Sequence, residues 1–369
     1  YTPDRLFLRD HQTGREWTYG EAQLRALAMA SLLRDQAGIA RGDRVAVYAA
    51  NCCEYVFLFL ACVKLGAVLL PLNPRLTPPE LAVMIRDAEP GLLVFDPEFS
   101  PGVDALGDLG VRPSALPHSA LSEAVWEPLA ERVDFVPDRP GALDDLVMIL
   151  YTSGTTGTPK GAMIDHRMLL WNSINTALRL DLTSRDHSLS FAPFFHTGGW
   201  NVLFTPFLHT GASHTLLKKF DPGEILDLVT REEVSILFGV PTMMQMLADV
   251  PGFDDRDLSS MRYAIVGGAP MPVPLINRWH DKGVFIRQGY GLTEVGPNCY
   301  SLHQDHAIAK RGSIGFPNFY IEARVVDGEG RDCGPEEIGE LWLRSEVVTP
   351  GYWRNPEATA AAITDGWFH

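Results

Sequence analysis

A short segment of the sequence, Tyr151–Gly161, combines three glycines, four threonines, one serine and one lysine after the apolar run Leu146–Leu150. Glycines let a backbone approach a ligand and point successive N–H groups at it, and the hydroxyls and Lys160 add donors and a positive charge. This combination suits a polyphosphate, although the order Gly154-x-x-Gly157-x-x-Lys160-Gly161 differs from that of the common P-loop. The alternative is a solvated, flexible loop.

Two further segments follow predicted strand ends, where ligands of parallel α/β sheets usually bind. Phe194–Asn201 carries His196 among aromatic residues, and its position fits a ligand-facing histidine and a core histidine equally. Val266–Pro270 carries two glycines, against which a flat ring or an acyl chain could lie. The alternative for the glycine pair is ordinary turn chemistry before a helix.

The segment Arg287–Pro297 places a tyrosine between two glycines, so that the ring could present a face to a purine. Its Thr293 and Glu294 offer oxygen ligands of the kind that Mg²⁺ binds together with substrate phosphates. The alternative is a turn with a surface glutamate.

The elements that must position these segments alternate between apolar strands and helices. Strands are predicted at 44–50, 68–72, 91–95, 146–150, 188–193, 213–217, 235–240, 262–267 and 284–288. Helices are predicted at 54–65, 77–87, 168–182, 222–232, 241–249 and 272–281. Apolar strands separated by helices predict parallel sheets that are covered on both faces. Segment 97–140, which holds seven prolines, is predicted to be a surface excursion and connector.

From about Arg311 the pattern changes to the alternation of antiparallel strands, at 320–326 and 339–344. The predicted fold class is therefore α/β, with two layered β/α lobes of mostly parallel sheets and a small antiparallel β lobe. The predicted boundaries are 1–185, 186–305 and 306–369.

Composition narrows the classes of partner. The chain of 369 residues is 46% hydrophobic and has a net charge of −15, which argues against general nucleic-acid binding and against an anionic membrane surface. Its five cysteines lack a C-x-x-C pair, so reduced cysteines in a cytoplasmic protein are expected. No apolar run reaches the ~20 residues of a membrane span, and no signal peptide is expected at the start of the chain.

Taken together and in order, these segments resemble the motifs of the adenylate-forming superfamily, which includes acyl-CoA synthetases, aryl-CoA ligases, luciferases and adenylation domains of peptide synthetases. The resemblance covers essentially the whole chain. It rests on Tyr151–Gly161, the Phe-His-Thr-Gly block, Gly267–Pro270, Tyr290–Glu294, Gly339–Trp342 and Gly351–Trp353.

The resemblance implies that a carboxylate attacks the α-phosphate of ATP, giving an acyl-adenylate and pyrophosphate, and that a thiol, usually of coenzyme A, then displaces AMP. It implies phosphate binding by Thr152, Ser153, Gly154, Thr155, Thr156, Gly157 and Lys160. It implies an adenine pocket formed by Gly268, Ala269, Pro270, Gln288, Gly289, Tyr290 and Gly291. Thr293 would contact phosphate, Glu294 and Thr152 would ligate Mg²⁺, and His196 would lie beside the carboxylate.

The resemblance implies an acid without an amino group, because relatives that activate amino acids carry an aspartate just after the aromatic residue of this block and Phe194-Phe195-His196 has none. A buried amine without such a partner would be costly. The expected apolar walls are Phe195, Trp200, Val240 and Met243, with Gly267 beside them. A fatty acid is favoured, and an aryl acid also fits such walls.

Three alternatives to a fatty-acyl-CoA synthetase stay open: an aryl-CoA ligase, an acyl-AMP ligase that loads a carrier protein, and a non-catalytic nucleotide-binding module. A homodimer is also compatible with the sequence. The chain stops at His369, before the segment that holds the ribose and before the small C-terminal lobe that the resemblance implies. We therefore expect residues 1–369 to be the large N-terminal portion of a longer protein.

Overall fold

The structure is a computed structural model that describes residues 2–111, 113–118, 135–137, 139–152 and 159–369. The chain divides into two compact units, and each consists of three stretches of sequence. The first unit comprises Tyr1–Arg167, Pro193–His196 and Thr349–Ala358; the second comprises Met168–Ala192, Thr197–Val348 and Thr359–His369. The three-lobe boundaries at 185 and 305 stay a prediction.

The first unit is built on a six-stranded sheet. The strands of this unit are β1 (Leu6–Asp10), β2 (Glu16–Thr18), β3 (Arg44–Tyr48), β4 (Val68–Leu72), β5 (Leu92–Phe95), β6 (Ala115–Pro117), β7 (Leu146–Thr152) and β8 (Lys160–Asp165), and the last six of them form the sheet. Its helices are α1 (Tyr19–Asp35), α2 (Cys53–Leu65), α3 (Pro78–Ala88) and α4 (Ser100–Asp108). The order of the sheet is β6-β5-β3-β4-β7-β8, with parallel pairs except for the antiparallel pair β7 and β8.

Local sequence signals set the ends of these helices. The hydroxyl of Thr18 accepts the Glu21 N–H and the Glu21 carboxylate accepts the Thr18 N–H, which is the capping box that begins α1. The carboxylate of Glu80 accepts the Thr77 N–H in the same way at α3. Gly66 ends α2 at a φ of +78°, and a Cβ there would lie 2.4 Å from the Arg41 guanidinium.

The prediction for segment 97–140 was wrong in part. Its described residues include α4 and β6, and β6 pairs in parallel with β5 at the edge of the sheet. Three residues of β6 are too few to give a readable alternation. Leu106 is the buried residue of α4, so the apolar signal of that helix is weak.

The second unit contains the remaining strands. They are β9 (His187–Ser190), β10 (Ser213–Leu216), β11 (Ile236–Gly239), β12 (Tyr263–Val266), β13 (Ile286–Tyr290), β14 (Tyr300–Ser301), β15 (Phe316–Pro317), β16 (Glu322–Val326), β17 (Glu340–Arg344), β18 (Ile363–Thr364) and β19 (Trp367–Phe368). The later helices of the chain are α5 (His166–Leu180), α6 (Thr197–Asn201), α7 (Phe204–Thr210), α8 (Pro222–Arg231), α9 (Pro241–Ala248), α10 (Val273–Asp281) and α11 (Pro356–Ala362).

The sheets of the second unit confirm the predicted mixture of strand directions. Strands β9 and β10 are parallel, and β11-β12-β13 continue in parallel order into the antiparallel strands β14 and β15. A separate antiparallel sheet has the order β16-β17-β19-β18. The fold class is therefore α/β with mostly parallel sheets and a small antiparallel part, as predicted. Within the described residues, no helix is both long enough and apolar enough to span a membrane.

Candidate functional site

Strands β7 and β8 pair antiparallel, and we call these two strands (the stem) with the segment 153–159 between them the phosphate hairpin. Thr152 ends β7 directly opposite Lys160, which begins β8, and the Thr152 hydroxyl lies 3.5 Å from the Lys160 carbonyl oxygen. The stem therefore fixes both ends of the predicted phosphate loop. Five of the predicted phosphate-binding residues lie outside the described part of the chain: Ser153, Gly154, Thr155, Thr156 and Gly157.

The segment Thr349–Trp353 holds the open edge of β8. The Trp353 N–H donates to the Gly161 carbonyl at 2.7 Å, and the Met163 N–H donates to the Gly351 carbonyl at 3.0 Å. A Cβ at Gly161 would lie 2.8 Å from the Ile149 side chain, so this position has no room for a larger residue. The Gly351–Trp353 motif thus braces the hairpin stem although it lies about 190 residues further along the sequence.

Lys160 packs its ammonium group 5.3 Å from the centre of the Tyr352 ring, on the same brace. The neighbouring Tyr151 donates its hydroxyl to the Asp87 carboxylate at 2.5 Å. Burial, and then this hydrogen bond, raise the pKa of Tyr151, so the phenol stays protonated. The Trp353 indole N–H also donates to the Asp87 carbonyl at 3.2 Å. Asp87, which sequence reasoning missed, therefore joins the end of α3 to both the stem and its brace.

Pro193–His196 belongs to the first unit and is held by buried groups. The Phe194 N–H donates to the Asn51 side-chain oxygen at 3.0 Å, and the Phe194 ring packs edge-on against Tyr55 at 5.5 Å. His196 is exposed and lies 4.9 Å from the Phe195 ring. Partial desolvation and then the charge of Arg75 lower the pKa of His196, which favours the neutral imidazole. Its exposure does not fit the alternative of a core histidine.

Four residues meet where the parallel strands β11, β12 and β13 end, and we call them the glycine edge: Val240, Gly267, Gly268 and Gly289. Pairing aligns Gly239 with Val266 and Val266 with Gln288, so the residues that follow leave the sheet at one level. A Cβ at Gly267 would lie 3.4 Å from the Gly289 carbonyl oxygen, and one at Gly268 would lie 3.5 Å from Val240. The structure thus brings together segments that the sequence separates by more than 20 residues.

The next residues keep this edge open. Gly268 has a φ of +80°, and Gly268, Ala269 and Pro270 are all exposed. Gln288 is 5% exposed, and its side chain accepts the Met271 N–H at 3.1 Å and donates to the Ser313 carbonyl at 3.0 Å. The Gln288 amide therefore fixes the turn of 268–271 through hydrogen bonds to the backbone, and its polar atoms are already paired within the protein.

The segment Tyr290–Val295 turns sharply after β13. A Cβ at Gly291 would lie 2.3 Å from the Pro297 carbonyl oxygen, so only glycine fits this turn. Thr293 and Glu294 lie on a single 3-10 turn, and Glu294 is only 8% exposed. A carboxylate held on so short a turn is a hard oxygen donor in a fixed position, which fits Mg²⁺. Tyr290, whose pKa is raised by burial, packs against Tyr300 at 6.3 Å.

A small cavity lies beside β9, and we call it the β9 cavity. Its lining residues are Ser188, Leu189, Ser190, Ala192, Gly198, Gly199, Leu203, Phe204 and Phe238. Its free space, about 10 Å³ for the centre of a water molecule, is enough for about one water. Gly198 and Gly199 follow His196 closely in the sequence.

The residues predicted to form the apolar walls around the acid differ in their position relative to the β9 cavity. Trp200 is fully buried and packs edge-on against Phe204 at 5.4 Å, one layer behind the cavity lining. Met243 packs against the core of the second unit, and Val240 lies on the glycine edge. Sequence reasoning missed Phe204 and Phe238 because ordinary core phenylalanines give the same sequence signal.

Comparison with known proteins agrees with this geometry. The sequence model of the family described as AMP-binding enzyme matches residues 1–353. The chain is 40% identical to a feruloyl-CoA synthase of Amycolatopsis sp, over 96% of this chain and 70% of that protein. It is 34% identical to the long-chain-fatty-acid–CoA ligase FadD13 of Mycobacterium tuberculosis, over 90% of this chain and 65% of that protein.

Among solved structures, the inhibitor-bound N-terminal domain of FACL13 from Mycobacterium tuberculosis superimposes with a TM-score of 0.91 at 31% identity. The match covers 99% of this chain and 91% of that domain. The chain therefore belongs to the AMP-binding enzyme family, as an AMP-forming acyl-CoA synthetase that uses ATP and Mg²⁺ to activate a carboxylic acid and joins it to coenzyme A.

Proposed function

We propose that the acid activated by this enzyme is aromatic. The observation that carries the proposal is the β9 cavity, whose nine lining residues include two phenylalanines and two glycines. The Phe238 ring approaches Gly198 so closely that a Cβ there would lie 3.3 Å from it. Aromatic side chains suit contact with the ring of an aromatic acid.

The likeness to a feruloyl-CoA synthase, whose name describes an aromatic acid, supports this proposal. It differs from the fatty acid that the apolar walls favoured in the sequence, because it rests on the aromatic residues that line the β9 cavity and on this likeness.

We further propose a role for each part of the site. Lys160, Thr152 and the loop between them bind the phosphates of ATP and the leaving pyrophosphate. The glycine edge, with Ala269, Pro270, Tyr290 and Gly291, binds adenine. Thr293 contacts phosphate, and Glu294 with Thr152 provides oxygen ligands for Mg²⁺.

His196 is proposed to lie beside the carboxylate that attacks the α-phosphorus of ATP. The bond to pyrophosphate breaks as the acyl-phosphate bond forms, so negative charge moves onto the leaving group. Fixed positive groups such as Lys160 lower the barrier by stabilising that charge. A neutral imidazole at His196 can donate one hydrogen bond to the carboxylate without forming a competing ion pair.

The test is acid-dependent exchange of pyrophosphate into ATP by the native protein, followed by thioester formation with coenzyme A. The panel contains benzoic, phenylacetic and cinnamic acids together with alkanoic acids from short to long chain. We expect the aromatic acids to give the highest kcat/KM. Efficient use of alkanoic acids with none of the aromatic acids active would contradict the proposal.

A fatty acid is the second candidate, and the likeness to FadD13 favours it. The same panel of acids decides between the two candidates, because kcat/KM should rise with chain length if the substrate is a fatty acid. Supplying a phosphopantetheinylated carrier protein in place of coenzyme A tests the acyl-AMP ligase alternative.

We also propose a cytoplasmic location and a homodimer. The five cysteines are all unpaired thiols in the structure, which fits a reducing compartment.

A further inference from the structure

A fully buried arginine lies on strand β13, directly before residues of the candidate adenine site. Arg287 is 0% exposed, and Gln288 and Gly289 follow it on the strand. Among the described residues it forms no ion pair with a carboxylate, and its Nη1 atom has no hydrogen-bond partner. Burying a guanidinium in this way is costly, so an arginine at this position needs a reason that an apolar side chain could not satisfy.

Arg287 donates hydrogen bonds to backbone carbonyls of two other segments. Its Nη2 atom donates to the Arg179 carbonyl at 2.6 Å, and its Nε atom donates to the Leu302 carbonyl at 3.2 Å. Arg179 lies in the last turn of α5, where carbonyls have no partner within the helix and the helix dipole favours a cation. The side chain therefore joins β13 to the end of α5 and to the residue that follows β14.

The bond to Leu302 acts where β13 enters the glycine edge. The Leu302 N–H donates to the Gln288 carbonyl at 2.8 Å, and Gly289 pairs with Ser301 of β14. Leu302 is thus held by two successive residues of β13, through the backbone of Gln288 and through the side chain of Arg287. These bonds fix the two strands against each other at the level of Gly289.

The guanidinium also lies against a residue of the neighbouring strand. Arg287 is 4.8 Å from the centre of the Tyr263 ring, at the start of β12. The Tyr263 hydroxyl donates to the Leu180 carbonyl, which belongs to the same end of α5. Two adjacent strands of the sheet are therefore tied to one helix end, and none of these contacts uses a residue that is proposed to touch ATP.

We propose that Arg287 is a positioning residue for ATP, which holds β13 to α5 and to Leu302 so that Gly289 and Tyr290 keep the backbone position that adenine requires. The inference rests on the proposed binding of adenine at the glycine edge. An apolar side chain of similar length would fill the same space but would leave the strand free to shift. The stability should change little, because removal of a buried charge offsets the loss of the two hydrogen bonds.

The test measures nucleotide binding by Arg287→Met in the native protein. Titration calorimetry gives the dissociation constants of the Mg²⁺ complexes of α,β-methylene-ATP and α,β-methylene-GTP, and the result does not depend on the acid because these analogues do not react. The dissociation constant of the adenine analogue should rise about threefold to tenfold, the range of one or two lost hydrogen bonds. The guanine analogue, which the native protein should bind more weakly, should be affected less, so the preference for adenine falls.

Arg262→Met is the matched control, because it removes an arginine that is bound to the same end of α5 but not to β13. Arg262 donates to the Asp181 carbonyl at 2.9 Å and pairs with the buried carboxylate of Asp186 at 2.8 Å. Its loss leaves that carboxylate without a counter-charge, so the melting temperature should fall more than in Arg287→Met. The dissociation constants of both analogues should stay unchanged.

Arg287→Lys provides a second variant at the same position. Lysine keeps the buried charge but lacks the planar fork that reaches both carbonyls. It should weaken binding of the adenine analogue in the same direction as Arg287→Met, and it takes the place of that variant if the methionine protein does not fold.

The outcomes separate the inference from the proposed role of the glycine edge. If Gly268→Ala leaves the dissociation constant of the adenine analogue unchanged, the proposed adenine site fails, and the inference fails with it. If Gly268→Ala weakens binding but Arg287→Met does not, or weakens both analogues equally, only the inference is overturned. The same holds if Arg287→Met lowers the melting temperature as much as Arg262→Met does while the preference for adenine stays unchanged.

Discussion

The phosphate hairpin and the glycine edge, which are both proposed to bind parts of ATP, are built in different ways. The hairpin stem ends in side chains with polar or charged groups, Thr152 and Lys160, at a register pair of antiparallel strands. The glycine edge consists of backbone at the ends of three parallel strands, with Gly267 and Gly289 in close approach. The hairpin offers a charged side chain to a ligand, whereas the glycines of the glycine edge offer closely spaced backbone without side chains.

The supports of the two regions differ accordingly. The hairpin stem is braced by distant segments, through the Trp353 backbone and the Asp87 carboxylate. The glycine edge is fixed by its own sheet and by Gln288, whose side chain bonds backbone on both sides. We infer that substitutions in the hairpin change the chemical step through charge, whereas substitutions at the edge act through backbone conformation and available space.

The largest effect is expected for Lys160→Ala. Loss of the ammonium group removes positive charge from the phosphates in the transition state, so the rate of pyrophosphate exchange should fall by about 10²-fold. Lys160→Arg should retain part of the rate, and Lys64→Ala, at an exposed lysine near the end of α2, should retain all of it. A rate for Lys160→Ala within twofold of the native rate would show that the hairpin does not act through the charge of Lys160.

Glu294→Gln tests whether the second unit also contributes charge. The substitution keeps the size of the side chain but removes the anionic metal ligand, so exchange at limiting Mg²⁺ should fall on the order of 10–100-fold. Raising the Mg²⁺ concentration should restore part of the rate. If the Mg²⁺ dependence is the same in both proteins, the assigned role of Glu294 is wrong.

Gly268→Ala tests the glycine edge itself. At a φ of +80° the added Cβ should reduce the free energy of unfolding by about 1–2 kcal/mol and raise the KM for ATP. Gly252→Ala is the matched control, because Gly252 has the same φ and open space around it. It should lose similar stability in thermal unfolding without a change in KM. Equal KM values in the two variants would argue against adenine binding at this edge.

The smallest effect is expected for Tyr151→Phe. Loss of the bond to Asp87 should reduce the free energy of unfolding by about 1–2 kcal/mol and raise the KM for ATP a few-fold, because the stem loses one support but no charge. Tyr48→Phe removes a longer bond of 3.4 Å, to the Pro74 carbonyl, and should have less effect in both measurements. A change in kcat as large as that of Lys160→Ala would contradict the assignment of Tyr151 to support.

Much of this arrangement could be predicted from the sequence. Apolar runs and capping residues located β3, β4, β5 and the helices between them, because burial and backbone hydrogen bonding act locally. The short strand β6 and helix α4 escaped prediction, since they bury few residues. The adenine and phosphate residues were found through ordered motifs, and their roles stay proposals.

The supporting residues could not be found in this way. Asn51, Asp87 and Gln288 are ordinary polar residues in sequence, and their functions depend on what lies beside them in the fold. The same holds for Arg287, whose guanidinium becomes notable only because it is buried without an ion pair among the described residues.

The sequence by itself predicted many of the parallel strands, several helix ends, the phosphate-loop motif and the order of the motifs, because these depend on neighbouring residues and on periodic burial. Only the tertiary structure decided that Trp353 braces β8, that Val240 meets Gly268, and that Trp200 lies behind the cavity lining. Those relations join segments far apart in the chain, and long-range packing alone sets them. The phosphate-loop motif is therefore visible in the sequence, whereas the β9 cavity is visible only in the fold.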